Sequence, residues 1–573
     1  MKIHFLTSAH NSLSQRLLAE LTGRGHAVTV AVVSNEEAMV KSVEDQAPDL
    51  IIAPMLKAKV PQAIWSKHIC LIVHPGILGD RGPSSLDWAI AMGEKTWGVT
   101  ILQAVEEMDA GPTWASRNFS LSESPTKSSL YRHEVTEAAV AGVLEAVAKC
   151  ESRAFQPEPL DGSRANVRGQ FRPLMRQDDR VIDWGRDSTD VIARKINAAD
   201  SAPGVLDTLF GKPYYLYGAH QDDQLRGAPG QLLAQRDGAV CVATIDGSIW
   251  ISHLKQKDDG EGRGIKLPAT MALGMRASRL PHSAVPAGTK TNHRTFREIH
   301  YDEKDGVGYL SFDFYNGAMS TGQCHRLRNA FLFARRQPTK VIALIGGRDF
   351  FSNGIHLNVI EAAENPALES WRNINAIDDL IYEILNTMSH LVIAGLRGNA
   401  GAGGAMLPLA ADCVYARKGV VLNPHYRAMG GLYGSEYWTY NLPRRVGGEK
   451  AIALTEECRP IGTSEAKRIG FIDDCFGESV AEFEEILTSR ALKLANHENF
   501  WQLLREKHDK RLIDERVKAL ASYRAEELKH MHANFYGVNP AYHIARQKFV
   551  FKGRPPRSWS SIPPPASAPK LSA

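Results

Sequence analysis

The sequence predicts a multidomain α/β protein, and three observations predict it. The chain has 573 residues, more than one hydrophobic core accommodates. Strand-like apolar runs alternate with helical ones near both ends. Between those regions lies a stretch of short strands punctuated by Gly and Asp. From Met1 to about Cys150 the strands are "IHFLTS", "AVTVAVV", "LIIAP" and "ICLIVHP", and the helices "LSQRLLAEL" and "SSLDWAIAM". Such alternation predicts a parallel α/β sheet. The amphipathic run "SSLYRHEVTEAAVAGVLEAVAKC" is expected to close that unit. A helical "STDVIARKINAAD" then precedes "KPYYLYGAH", "GAVCVATIDG" and "SIWISHLKQ", a pattern that suggests a small β-barrel. "KDDGEGRG" is a loop, and "SRLPHSAVPAGTKTNHR" has the composition of a linker.

A second α/β pattern starts near Phe296. Its strands are "GYLSFDF", "KVIALIGG", "LVIAGLRG" and "DCVYARKGVVLN". Its clearest helices are "LESWRNINAIDDLIYEILNTMS" and the single long run "FWQLLREKHDKRLIDERVKALASYRAEELKHMHANF". The expected organisation is a domain over 1–165, a β-barrel over 166–282, a linker over 283–295, an α/β domain with C-terminal helices over 296–552, and a Pro-rich disordered tail over 553–573. Composition is ordinary for a soluble globular chain, with 43% hydrophobic and 23% charged residues. A net charge of +4 gives no case for nucleic acid or an anionic membrane. The seven cysteines are scattered without a CxxC, as expected for free thiols in a reducing cytoplasm rather than disulfides or a metal site. "MKIHFLTSAH" reads as a first strand, not a signal peptide, and no run reaches the roughly 18 apolar residues of a membrane span. A cytoplasmic location is expected.

Two regions carry chemistry. In "LIVHPGILGDRGPSSLDWAIAMGEKTWGVTILQAVEEMDAGP" a strand ends at His74, where active sites of open parallel sheets lie. Asp109 sits in the later turn "EMDAGP". A His and a carboxylate together can stabilise an oxyanion and move its proton. Spacing alone favours the plainer reading, in which both are turn residues. The segment, however, resembles the 10-formyltetrahydrofolate-dependent formyltransferases. They carry an Asn-x-His-Pro turn, then Arg-Gly and later Asp-x-Gly, matched here by His74, Arg81-Gly82 and Asp109-Ala110-Gly111, with Ile72 where the Asn stands. The resemblance implies a formyltransferase-like fold, catalytic His74 and Asp109, and folate contacts at Arg81 and Gly111. "RVIDWGRDSTDVIARKINA" and "APGQLLAQRDGAV" are similar to the C-terminal barrel of methionyl-tRNA formyltransferase.

The other region pairs "GGRDFFSNGIHL" with "GLRGNAGAGGAMLPLAADC", whose glycines let backbone N–H groups approach a ligand. These segments resemble the two oxyanion-hole loops of the crotonase (enoyl-CoA hydratase/isomerase) superfamily. The match implies that the N–H groups of Ile355 and Gly403 grip a thioester carbonyl. It also implies coenzyme A contacts at Ala318 (within "FYNGAMS"), Asn353, Gly354 and Gly404. "RPIGTSEAKRIGFIDD" resembles the late helix–strand step of that fold. The glutamates of the hydratases fall on Met406 and His425, so hydration of an enoyl-CoA is not expected. "NPHYRAMGGLYGSEYWTY" offers Tyr426 and Glu436 instead, a phenol and a carboxylate able to relay a proton. A tyrosine in the core and a glutamate on a helix face is the competing reading.

The domain order resembles the HypX/HoxX-type hydrogenase maturation factors. That resemblance implies formyl transfer from 10-formyltetrahydrofolate to coenzyme A, then decarbonylation of formyl-CoA to carbon monoxide for the iron of nickel–iron hydrogenase. Its partners would be hydrogenase maturation proteins or the hydrogenase large subunit. Two alternatives stay open: a formyltransferase joined to an unrelated acyl-CoA isomerase, and a non-catalytic assembly protein that binds folate and coenzyme A.

Overall fold

Lys2–Thr7 (β1) buries five residues in succession, the mark of a strand covered on both faces. It pairs in parallel with Ala27–Val32 (β2) on one side and Leu50–Ala53 (β3) on the other, and β3 pairs in parallel with Cys70–His74 (β4). Thr96–Gln103 (β5) and Thr113–Ser120 (β6) continue the sheet antiparallel, giving the order β2-β1-β3-β4-β5-β6. The parallel pattern of the sequence therefore holds through β4, after which a hairpin takes over. Helix Ser12–Gly23 covers one face with Leu13, Leu17 and Leu21. Helix Thr136–Ser152, which follows a π-helical turn at Tyr131–Val135, packs Val140, Val143 and Val147 into the same core.

This computed structural model describes residues 1–123, 125–152, 154–258 and 263–553. The expected tail beyond Gly553 and residues 259–262 of the "KDDGEGRG" loop lie outside the described residues. Next come Val205–Leu209 (β7), Lys212–Asp222 (β8), Leu232–Arg236 (β9), Ala239–Ala243 (β10), Ser248–Gln256 (β11) and Lys266–Pro268 (β12), ordered β7-β8-β11-β10-β9 with β12 on β11. Among the described residues no pairing of β7 with β9 closes the expected barrel. Two-residue turns at Phe210-Gly211 and Asp237-Gly238, all four residues at positive φ, pair β7 with β8 and β9 with β10.

The rest contains Ile299–Lys304 (β13), Val307–Phe312 (β14), Val341–Ile345 (β15), Phe350–Ser352 (β16), Leu391–Leu396 (β17), Asn399–Gly401 (β18), Cys413–Arg417 (β19), Val421–Asn423 (β20), Ile461–Gly462 (β21) and Asp474–Phe476 (β22). The main sheet runs β13-β14-β15-β17-β19-β22, parallel from β14 onward, and the small one β16-β18-β20-β21. Each of β15, β17 and β19 is thus followed by a short strand of the small sheet. This doubling sets three loops side by side: the segments after β16, after β18 and after β20. "DCVYARKGVVLN", read as one strand, divides into β19 and β20 because Lys418-Gly419 moves the chain from one sheet to the other. The long C-terminal helix likewise divides into Phe500–Val517 and Leu520–Tyr536 at Lys518, whose backbone is extended (φ −157°, ψ 120°).

The chain forms two compact units. One comprises Met1–Ala234, Ala239–Leu254 and Met275–Pro281; the other comprises Gln235–Gly238, Lys255–Gly274 and the described residues from His282 onward. Among the described residues no helix is long and apolar enough to cross a membrane. In the first unit Gly82 stands at φ +117°, where a Cβ would overlap the carbonyl oxygen of Arg172. Gly82→Ala should therefore cost about 1–3 kcal/mol, read as an earlier first-unit transition in urea unfolding.

Candidate functional site

His74 closes β4. Its side chain lies on the face shared with Cys70 and Ile72, following the two-residue alternation of a strand. Ile72 packs against the cluster of Leu6, Ile51 and Ile64, so no amide donor stands at that point. The turn after His74 is tied from three sides. Ser85 Oγ and Trp97 Nε1 donate to the Pro75 carbonyl at 2.8 and 3.0 Å, and Thr100 Oγ1 donates to the Gly76 carbonyl at 2.9 Å. His74 is 5% exposed, and a carboxylate faces each ring nitrogen. Nε2 donates to Asp80 Oδ2 at 3.0 Å, while Nδ1 lies 3.6 Å from Asp109 Oδ1, an ion-pair separation longer than a hydrogen bond. Asp80 in turn accepts from Arg172 Nη1 at 2.6 Å, and Arg172 lies 5.1 Å from the centre of the Trp97 ring. Asp109 has a left-handed backbone (φ 57°), and its Oδ2 accepts the Gly82 N–H at 3.4 Å. Arg81 turns to Glu107, and Gly111 packs against the carbonyl of Gln103.

The second constellation grows from the three aligned loops. Gly354 lies against Gly403, where a Cβ added at Gly354 would come 3.2 Å from the Gly403 nitrogen. Among the described residues, neither the Ile355 nor the Gly403 N–H donates to a carbonyl of the chain outside regular helices and strands, and Gly403 is the first residue of a short helix. Ala402, just before it, is held at φ 47°. The Asn353 N–H donates to the Gly317 carbonyl at 2.7 Å beside Ala318. Any side chain at Gly403 would overlap Glu436 Oε1, and any at Gly404 the carbonyl of Ser352. Met406 is fully buried in the core with Tyr426 and Tyr437. His425 Nδ1 donates to the Asn423 carbonyl at 2.7 Å, and burial lowers its pKa.

Glu436 is not on a helix face. It and Tyr437 both adopt left-handed backbones, φ 63° and 53°, which cost non-glycine residues about 1–3 kcal/mol each. The surroundings hold them there. The Glu436 N–H donates to Asp378 Oδ1 at 2.9 Å, and the Tyr437 N–H to Glu527 Oε2 at 3.0 Å. Glu436 Oε2 accepts from the Tyr426 hydroxyl at 2.7 Å and from the Ser435 N–H at 2.9 Å. Oε1 is left facing Gly403. Burial first, and then the charge of Asp378, pushes the Glu436 carboxyl up to about 8. Burial, with Glu436 next, raises Tyr426 well above its ordinary value.

Three family models match the chain: Formyl transferase over residues 32–147, its C-terminal domain over 174–261, and Enoyl-CoA hydratase/isomerase over 302–552. The hydrogenase maturation factor HoxX of Bradyrhizobium diazoefficiens is 46% identical over 553 residues, covering 96% of this chain and 95% of that one. The chain belongs to the HoxX/HypX family of hydrogenase maturation factors. A crystal structure of HypX from Aquifex aeolicus in complex with tetrahydrofolic acid superposes with a TM-score of 0.93 at 46% identity, covering 96% of each chain. The methionyl-tRNA formyltransferase of Thermotoga neapolitana is 30% identical over 212 residues, or 36% of this chain and 66% of that one.

For a HoxX/HypX protein, the structure adds residues that sequence reasoning missed. Asp80 and Arg172 were passed over, although Asp80 adjoins Arg81-Gly82 in the quoted motif, because Arg172 is 92 residues further on. Asp378 and Glu527 gave no signal, since an acid inside an amphipathic helix reads as its solvated face, and Ser435, although inside the quoted stretch, has no spacing to either of them that a motif would show. The Asp80 side chain is fully buried and that of Arg172 is 10% exposed. Removing one partner of such a pair costs about 3–5 kcal/mol. Arg172→Met should destabilise the first unit by that much in urea unfolding, and Asp80→Leu combined with Arg172→Met should cost less than the single change.

Proposed function

We propose that this chain makes carbon monoxide for hydrogenase maturation in two steps, each within one unit. In the first, the thiol of coenzyme A attacks the formyl carbon of 10-formyltetrahydrofolate. The C–S bond forms, the C–N bond breaks, and the folate nitrogen takes the thiol proton, giving formyl-CoA and tetrahydrofolate. Asp80 holds Nε2 of His74, so Nδ1 and Asp109 meet the reacting groups and pass that proton. Arg81 and Gly111 border the folate. That a relative from Aquifex aeolicus, 46% identical, was crystallised in complex with tetrahydrofolic acid supports a folate as one substrate.

In the second step formyl-CoA loses carbon monoxide. The N–H groups of Ile355 and Gly403 hold the formyl oxygen, while Ala318, Asn353, Gly354 and Gly404 border the coenzyme. Glu436 Oε1 takes the formyl proton and the C–S bond breaks with its electron pair on sulfur. The thiolate then recovers a proton through Tyr426 and Glu436. Atoms and electrons balance without an oxidant or a metal. The carbon monoxide goes to the hydrogenase iron, handed over in the cytoplasm to a maturation protein or the large subunit.

One observation carries the reading: Glu436 Oε1 rests against Gly403, with Tyr426 on its other oxygen. A base against the oxyanion hole suits a substrate whose carbonyl carbon itself bears the proton.

The steps separate by mutation. His74→Ala and Asp109→Ala should lower tetrahydrofolate release about a hundred- to ten-thousand-fold with coenzyme A affinity unchanged by calorimetry. Glu436→Gln and Tyr426→Phe should still release tetrahydrofolate but yield formate in place of most carbon monoxide. Near-normal carbon monoxide from both of the latter variants would remove them from the mechanism.

A further inference from the structure

Two carboxylates that no sequence motif suggested as a group converge on the hydroxyl of Ser435, whose N–H serves a third, Glu436. Ser435 Oγ lies 2.8 and 3.0 Å from the two oxygens of Asp378 and 3.3 Å from Glu527 Oε2. Asp378, from helix Pro366–Leu385, and Glu527, from helix Leu520–Tyr536, are both fully buried. Their work differs. Glu527 accepts the N–H groups of Tyr437 and Thr439, at 3.0 and 2.8 Å, and so holds the first turn of the helix Trp438–Val446. Asp378 accepts the N–H of Glu436 itself.

We propose that Asp378 is a positioning residue for proton removal by Glu436, fixing its backbone and setting a negative charge behind its carboxylate. The inference rests on the decarbonylation reading above. An acyl C–H is a weak acid, so a base gains from high proton affinity provided it is still partly ionised near neutral pH. A neighbouring anion supplies that affinity. The groups around Glu436 are Tyr426 on Oε2, Tyr437 next in the chain, Cys324 from helix Thr321–Ala334, Asp378, Glu527 and Arg524. Arg524 is the one cation in that set. Its guanidinium lies 3.7 Å from Asp378 and 2.8 Å from Asp379, which shares it. Burial raises both acids, but at Asp378 the Arg524 guanidinium, the Ser435 hydroxyl and the Glu436 N–H oppose the rise, so Asp378 is the better stabilised anion of the two. As pH climbs toward 8 Glu436 therefore loses its proton beside a charge already present.

The test is the pH dependence of carbon monoxide release from formyl-CoA supplied directly to the full chain. The wild-type rate should rise through a limb near pH 8. Asp378→Asn keeps an oxygen to accept the Glu436 N–H and removes the charge. Its limb should move down by about 1–2 pH units, and its plateau should fall about three- to tenfold, as a weaker base requires. Glu527→Gln should move the limb less. If Asp378→Asn fails to fold, Asp378→Thr, also neutral and an acceptor, gives the same readout. A folded neutral variant that still makes tetrahydrofolate but keeps its limb in place, whatever its plateau, overturns the proposal and leaves Asp378 structural. Wild-type protein that releases no carbon monoxide from formyl-CoA overturns the underlying reading as well.

Discussion

A carboxylate withdrawn from water must recover from its surroundings the hydrogen bonds and the counter-charge that water supplied. At Glu436 recovery is partial, and the second unit is arranged around that shortfall. Oε2 is satisfied by Tyr426 and by the Ser435 N–H, whereas Oε1 faces Gly403. The nearest charges are two more acids and a single arginine. Keeping the carboxylate there requires left-handed backbones at Glu436 and Tyr437, an N–H acceptor at Asp378 and a helix anchored on Glu527. It also requires that residue 403 have no side chain.

The first unit handles its charge differently. Asp80, fully buried, is balanced by Arg172 and bonded to His74, so the imidazole is fixed by an ion pair within the protein rather than by a substrate. In the resembling formyltransferases an asparagine precedes the histidine by two residues. Here Ile72 fills that point with core. The polar partners of His74 come instead from the turn that follows it and from the turn between β5 and β6, with Arg172, from the chain after the sheet, behind Asp80. One unit holds a histidine by a neutralised pair, and the other holds a glutamate among acids that share one arginine.

Much of the fold could be read from periodicity. Strand β17 is apolar throughout and β14 nearly so, and the main helices carry the usual apolar stripe. Periodicity failed where a break depends on tertiary geometry. Nothing local announces that "DCVYARKGVVLN" changes sheet, or that Lys518 is extended between two helices. The open order of β7 to β12 likewise follows from pairings between strands, which composition does not encode. At the sites, residues inside short motifs were legible: His74, Asp109, Gly403 and the Tyr426–Glu436 stretch. Partners supplied from elsewhere were not. Arg172 lies 92 residues from Asp80, and Glu527 lies 92 from Ser435. Long-range electrostatic partners leave no spacing to detect.

Formyl transfer followed by decarbonylation fixes the fate of every atom of the formyl group. The decisive measurement supplies 10-formyltetrahydrofolate labelled with carbon-13 and deuterium at the formyl position, together with coenzyme A, and counts the products of one turnover. The account predicts one carbon-13-labelled carbon monoxide for each tetrahydrofolate, with the deuteron lost and a slower reaction than with formyl protium. Labelled formate equal to the tetrahydrofolate formed, with the deuteron still on carbon and no carbon monoxide in the headspace, would contradict it.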